Sequence, residues 1–192
     1  MPESFEAFMT TEATLTKDEL GRVLSLSTFK KIRKRQLWLK QGEICKQKMF
    51  IESGLLRTYR LSDSGEEYIL RFSPENSWLV DLESFRNGTP SMYNIDALED
   101  TEVILWTEKS FIELVSTIPA FKCYAQKLIG KAYLADEERI MMNISYTAEE
   151  KYQNFITTFP DVFNRVPLHM VASYLGVSRE TLTRIRHARV RK

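Results

Sequence analysis

Arg179, Glu180, Thr183 and Arg184 are the residues of this 192-residue chain whose types and spacing can do recognisable chemistry. At about 100° per residue they fall, with His187, on one helical face opposite Leu182 and Ile185. An arginine forks onto guanine O6 and N7, and a glutamate accepts from the cytosine N4 amino group. Arg179, Glu180, Thr183 and Arg184 are therefore expected to read base edges. Ser178, Arg186, His187, Arg189, Arg191 and Lys192 are expected to touch DNA phosphates, which position a protein without specifying sequence.

The flanking residues predict the scaffold for such a face. Leu168, Val171, Ala172 and Leu175 recur at helical spacing, and Gly176 breaks the helix where a left-handed residue is cheap. Ser178 caps a second helix, with Leu182 and Ile185 turned back onto the first. Ala172 is small enough for the two helices to cross closely. Residues 167–186 thus read as a helix-turn-helix. A helical hairpin with a charged outer face also occurs in proteins that never touch DNA, but this full combination is narrower. The charge distribution agrees: residues 179–192 carry six Arg/Lys against one acid, while the whole chain is only +1, leaving the other 178 residues at −4. A basic tip on a mildly acidic body is the footprint of a protein that docks one end on phosphates.

With 43% hydrophobic residues, the chain can bury a full core, and one medium domain plus a small one is expected. No apolar run approaches the ~18 residues of a membrane span. The first 20 residues are acidic and amphipathic, unlike a signal peptide. Cys45 and Cys123 are too few for a disulfide framework. A cytoplasmic protein without membrane partners is expected. Residues 5–26 read as helical, with Phe5, Phe8, Leu15, Leu20, Val23 and Leu24 as the apolar set. Between Phe29 and Trp106 the period shortens to that of strands, around 37–39, 49–51, 55–61, 68–72 and 103–106. Turn residues separate them, which argues for a sandwich or barrel. Helix returns at Lys109, and Phe121 to about Ser145 can run as one long helix that pairs with its twin across a two-fold, or packs on its own barrel. Thr147-Ala148-Glu149-Glu150 is a capping box that opens the last segment.

A barrel, a long helix and a C-terminal helix-turn-helix, in that order, resemble the Crp/Fnr family of transcription regulators over nearly the whole chain. The sharpest part is Gly176-Val177-Ser178-Arg179-Glu180-Thr181-Leu182-Thr183-Arg184-Ile185, which is similar to the recognition helix of the cyclic-AMP receptor branch. There the first Arg, the Glu and the later Arg contact base edges, which the resemblance carries to Arg179, Glu180 and Arg184. Ile51-Glu52-Ser53-Gly54-Leu55-Leu56-Arg57-Thr58-Tyr59 is similar to the family's strand-Gly-strand segment. The resemblance implies an α+β fold. Residues 1–118 would form a cyclic nucleotide-binding-like β-roll or jelly-roll sensor, 119–145 a dimerisation helix, and 146–192 a helix-turn-helix domain without a full wing. It further implies a homodimer, palindromic operators, double-stranded DNA as partner, and RNA polymerase as a candidate second partner. With no wing, phosphate contacts fall to the basic tail, and binding is expected to be salt-sensitive.

The ligand positions depart from the family. Members that bind cyclic nucleotides carry Gly-Glu at a short phosphate-cradling helix, then Arg-Ser or Arg-Thr. Anchored on Ala97 and Thr101-Glu102-Val103, those positions fall on Val80-Asp81 and Ser91-Met92, so the phosphate arginine is absent. Arg86 lies nearby at the wrong offset. No tight cyclic-AMP binding is expected, and a different small effector, or none, fits equally well. Trp78, Asp81, Arg86, Ser91, Tyr93, Tyr124 and Lys127 are the candidate pocket residues. Each also has an ordinary reading, as barrel core for Trp78 and Tyr93 and as solvated surface for the others. Two cysteines cannot ligate a cluster that needs four. Both histidines, His169 and His187, fall in the DNA-binding part, so neither a haem ligand nor a cupin-type metal set is expected in the barrel. No P-loop, nucleophile elbow or dinucleotide fingerprint appears. No catalytic and no metal site is expected. The rival class is a small-molecule-binding or protein-interaction module of the same fold that no longer reads DNA. The run Lys30-Lys31-Ile32-Arg33-Lys34-Arg35 is a second contact surface or, as a blander reading, a solvated strand edge.

Overall fold

The computed structural model describes residues 3–190. The helical stretch expected over 5–26 is two helices, α1 (Glu3–Glu12) and α2 (Lys17–Ser25). Thr14 sits at φ 53 and breaks the run. Thr16 then starts α2: its hydroxyl accepts from the Glu19 N–H, and the Glu19 carboxylate accepts from the Thr16 N–H at 2.9 Å. This reciprocal cap satisfies donors that a helix start leaves orphaned. The break lets Phe5 and Met9 of α1 and Leu20 and Val23 of α2 enter one core.

Eight strands follow: β1 (Thr28–Ile32), β2 (Leu37–Leu39), β3 (Gln47–Ser53), β4 (Leu56–Leu61), β5 (Glu67–Ser73), β6 (Trp78–Leu79), β7 (Asn94–Ala97) and β8 (Thr101–Thr107), with α3 (Leu82–Asn87) after β6. They form two antiparallel sheets, in the orders β1-β8-β3-β6 and β2-β7-β4-β5. The β1 edge is the exposed basic run anticipated from sequence; Lys31 pairs with Glu102, and the Lys30 ammonium lies over Trp38. Gly54, at φ 98, turns β3 into β4 against the start of β8. A Cβ there would stand 2.5 Å from Thr101 Oγ1 and 2.7 Å from the Asp100 carbonyl oxygen, so only glycine fits.

Strand alternation sorts the side chains into three cores. Ile32, Leu39, Met49, Ile51, Leu56, Ile95, Ala97, Val103 and Leu105 fill the space between the sheets. The outer face of the first sheet presents Phe50, Ile104 and Trp106 to α1, α2, α4 (Glu108–Thr117) and the start of α5 (Pro119–Ser145). The outer face of the second sheet presents Tyr59, Ile69 and Phe72 to the C-terminal helices α6 (Ala148–Thr158), α7 (Pro160–Arg165), α8 (Leu168–Leu175) and α9 (Arg179–Val190). The connector that the sequence left between residues 161 and 166 is the short helix α7, with Pro160 in its first turn, where proline costs no hydrogen bond.

Helix α5 links the two outer cores. It is 27 residues long, and it buries Phe121, Tyr124 and Ala125 near its start. Beyond that point Ile129, Tyr133, Ile140 and Ile144 line one side of the helix and all are exposed, Ile144 to 74%. No described helix is long and apolar enough to cross a membrane.

Candidate nucleic-acid interface

The helix-turn-helix is built by local chemistry. Val171, Ala172 and Leu175 of α8 are buried, and Gly176 ends the helix in the left-handed region at φ 66, ψ 35. Its N–H and that of Val177 return to carbonyls of the last turn of α8, which closes the turn. The Ser178 hydroxyl accepts from the Thr181 N–H at 3.1 Å and so caps α9. Leu182 is fully buried on α8, with Ile185 beside it, while α9 also rests on α6.

The opposite face of α9 is bare. Arg179, Glu180, Arg184, Arg186 and His187 are exposed, with Thr183 half-buried among them. The Thr183 hydroxyl donates to the Arg179 carbonyl at 2.9 Å, so this side chain offers its methyl group and oxygen lone pairs outward. The Glu180 carboxyl is held below the usual carboxylate range by its own backbone N–H and by the Ser178 hydroxyl. It stays an acceptor at neutral pH, the state needed to take a hydrogen bond from cytosine N4. Residues 179, 180, 183 and 184 therefore lie together on one accessible surface, with Ser178 at its edge. The side chain of Arg189 and residues Arg191 and Lys192 lie outside the described part of the chain.

The expected effector pocket does not assemble as one site. Trp78 points to the outer face of the first sheet, where its indole N–H donates to the Tyr124 hydroxyl at 2.8 Å among Phe50, Trp106 and Phe111. Burial pushes the Tyr124 phenol up to about 12, so it stays protonated. Asp81 and Ser91 meet elsewhere, at the start of α3. The Asp81 carboxylate accepts from the Ser84 N–H at 3.3 Å and from the Ser91 hydroxyl at 2.6 Å. Arg86 lies in the last turn of α3, exposed, and Lys127 is exposed on α5. Tyr93 is half-buried, and its N–H donates to Ser91 Oγ. Where a cyclic phosphate needs an arginine, this chain places Ser91, whose hydroxyl is already committed to Asp81, so these residues do not fit it. The sheet interior instead offers the buried hydroxyls of Thr58 and Ser73, which have no hydrogen-bond partner.

Sequence reasoning missed several charged groups. Arg57, only 6% exposed, donates to Asp96 at 2.8 and 3.0 Å and also pairs with Glu67. Lys48 lies over the rings of Phe111 and Trp78, and burial together with the Arg86 charge pushes it down to about 8. Arg165 of α7 reaches back to the barrel, 2.9 Å from each oxygen of Glu75 and 3.0 and 2.6 Å from those of Glu99. No periodicity marks such residues, because their partners are 10 to 90 positions away.

A model of the cyclic nucleotide-binding domain matches residues 29–117. The transcriptional activator protein Anr of Pseudomonas protegens is 26% identical over 165 residues, covering 80% of this chain and 67% of Anr. Electron transport regulator A of Shewanella oneidensis is 24% identical, covering 90% of this chain and 73% of its own. Among solved structures, FixK2 of Bradyrhizobium japonicum superposes with a TM-score of 0.73 at 17% identity, over 84% of this chain and 83% of that one. Residues 29–117 thus form a cyclic nucleotide-binding domain, and over most of its length the chain is similar to transcription regulators of the Crp/Fnr type.

Proposed function

We propose that this protein binds palindromic operators as a homodimer and that its exposed α9 face reads them. Arg179, Glu180, Thr183 and Arg184 address base edges; Ser178, Arg186 and His187, with Arg189, Arg191 and Lys192 beyond them, address phosphates. The observation that carries this reading is the bare α9 face, capped and oriented by Ser178 and Gly176. The exposed stripe of Ile129, Tyr133, Ile140 and Ile144 supports the dimer, since apolar side chains gain about 1.5–3 kcal/mol each on full burial. Two such heads enter successive major grooves about 34–36 Å apart.

In this reading residues 1–118 sense, 119–145 dimerise and 146–192 bind DNA, in the cytoplasm and with RNA polymerase as a downstream partner. The chain binds rather than catalyses. Cyclic nucleotide is not the effector, because Ser91 stands where the arginine that neutralises its phosphate would be.

The test is sedimentation of the protein with a palindromic duplex recovered from a random pool. Two protomers per duplex support the reading; one protomer, or a dimer that ignores the duplex, contradicts it.

A further inference from the structure

From residue 131 to 140 every side chain of α5 is exposed except that of Arg139. Its guanidinium donates to three carbonyls on two other elements, Ile69 and Leu70 of β5 and Tyr174 of α8. The bonds to Ile69 and Tyr174 are 3.2 Å each, and the guanidinium also stacks 4.0 Å from the centre of the Tyr174 ring.

Ile69 and Leu70 lie on β5, the edge strand of its sheet, and Leu70 and Tyr174 have carbonyls that regular structure leaves open. The β4–β5 pairing shifts register here and skips Leu70, and a bulge leaves its extra residue without a ladder partner. Tyr174 lies in the last turn of α8, where carbonyls lack helical donors and carry the negative end of the helix dipole. A planar group with five donors can serve all three at once; an ammonium cannot hold that fork. The residue before Tyr174 points to the same strand: the Ser173 hydroxyl accepts from the Ile69 N–H at 3.0 Å and donates to the Glu67 carbonyl.

We propose that Arg139 is the positioning residue through which the long helix fixes the angle of the reading head. Resting on the homodimer reading above, this deepens it. Leu182 is buried against α8, so a constraint on the last turn of α8 is passed to α9. Two heads joined through paired α5 helices then meet two half-sites at a set spacing. An error in that angle penalises paired base contacts, while contacts to phosphates tolerate it.

The test uses the full chain with Cys123→Ser, spin-labelled at Lys40→Cys on the barrel and Ala188→Cys on α9, and diluted with unlabelled protein. The distance within one protomer needs neither dimer nor DNA. It is expected to be single and narrow, to broaden in Arg139→Ala, and to lie between the two in Arg139→Lys. The second readout is the affinity ratio between a duplex recovered from a random pool and a scrambled duplex of equal length. Arg139→Ala should lower that ratio roughly 5- to 150-fold, the usual range of coupling between sites, with the scrambled duplex bound as before. A lower melting temperature with unchanged distance and ratio would make Arg139 a stabilising residue only and overturn the proposal. A broadened distance in a protein that prefers no duplex would support the joint and sink the operator reading instead.

Discussion

Arg165 and Glu99 are 66 residues apart in sequence, yet the guanidinium of one lies 2.6 and 3.0 Å from the two oxygens of the other. The same arginine holds Glu75, so two carboxylates of the barrel converge on one cation of the short helix before the helix-turn-helix. The C-terminal helices are thereby bolted to the sheet whose outer face they also cover with Phe155, Val171 and Leu175.

Arg165→Ala should lower stability by about 1–3 kcal/mol, the range for lost charge-assisted hydrogen bonds at a partly exposed site. The Glu75 carboxyl is held below its usual value by Arg165, against a burial that pushes it up. A carboxylate depressed in the folded state stabilises above its unfolded pKa, and that gain disappears as pH falls through the folded pKa. Urea unfolding at pH 7 should show the full deficit, and the deficit should shrink progressively as pH falls below the ordinary carboxylate range of about 4.

Lys48 gives a slope of the same sign in a higher pH window, here because burial penalises its charged form. Its ammonium is pushed down to about 8 from 10.5 by burial and by Arg86, so the unfolded chain binds more protons between those values. Stability should rise with pH across that window. Lys48→Met should raise the melting temperature at pH 7 and flatten the rise. A variant less stable than wild type at pH 7 would show that the cation contacts with Phe111 and Trp78 outweigh burial.

The helix-turn-helix was legible in the sequence because its signals are local. The spacing of Leu168, Val171 and Leu175, the left-handed Gly176 and the capping Ser178 lie within eleven residues. The break between α1 and α2 had one local signal, the Thr16–Glu19 cap, but Thr14 adopts a positive φ that only glycine would have advertised. The dispersal of the candidate pocket residues has a different reason. Sequence offsets place residues along strands, yet the face each one takes depends on register, and register turned Trp78 outward beside Tyr124. The docking of α8 on β5 was invisible, since Ser173 and Ile69 are 104 positions apart.

Gly54→Ala should destabilise the barrel by about 1–3 kcal/mol, because it adds a Cβ at a positive φ and against backbone. Thermal unfolding checks this. Gly65→Ala is the control: its φ is also positive, at 84°, but nothing stands within 4 Å, so its cost should be smaller.

Ile140→Asp should break the proposed dimer while leaving the protomer folded, since Ile140 is 58% exposed. The lost burial is about 1.5–3 kcal/mol per copy, before the cost of burying a carboxylate is added. Sedimentation equilibrium with unchanged circular dichroism is the check; an intact dimer would move the interface away from this stripe.

Arg179→Ala and Glu180→Ala should each cost about 1–3 kcal/mol on the preferred duplex and relax one base position per half-site. Arg186→Ala should weaken binding to every duplex alike and make it less salt-dependent.

The most direct measurement is selection of duplexes from a random pool by the purified full chain at physiological salt, followed by sequencing of what is retained. A palindrome with G and C at matching half-site positions, its half-sites one helical turn apart, is the predicted result. Retention that is uniform across sequences and falls steeply with salt would mean that the α9 face touches phosphates alone, and would contradict the assignment of Arg179, Glu180 and Arg184 as readers.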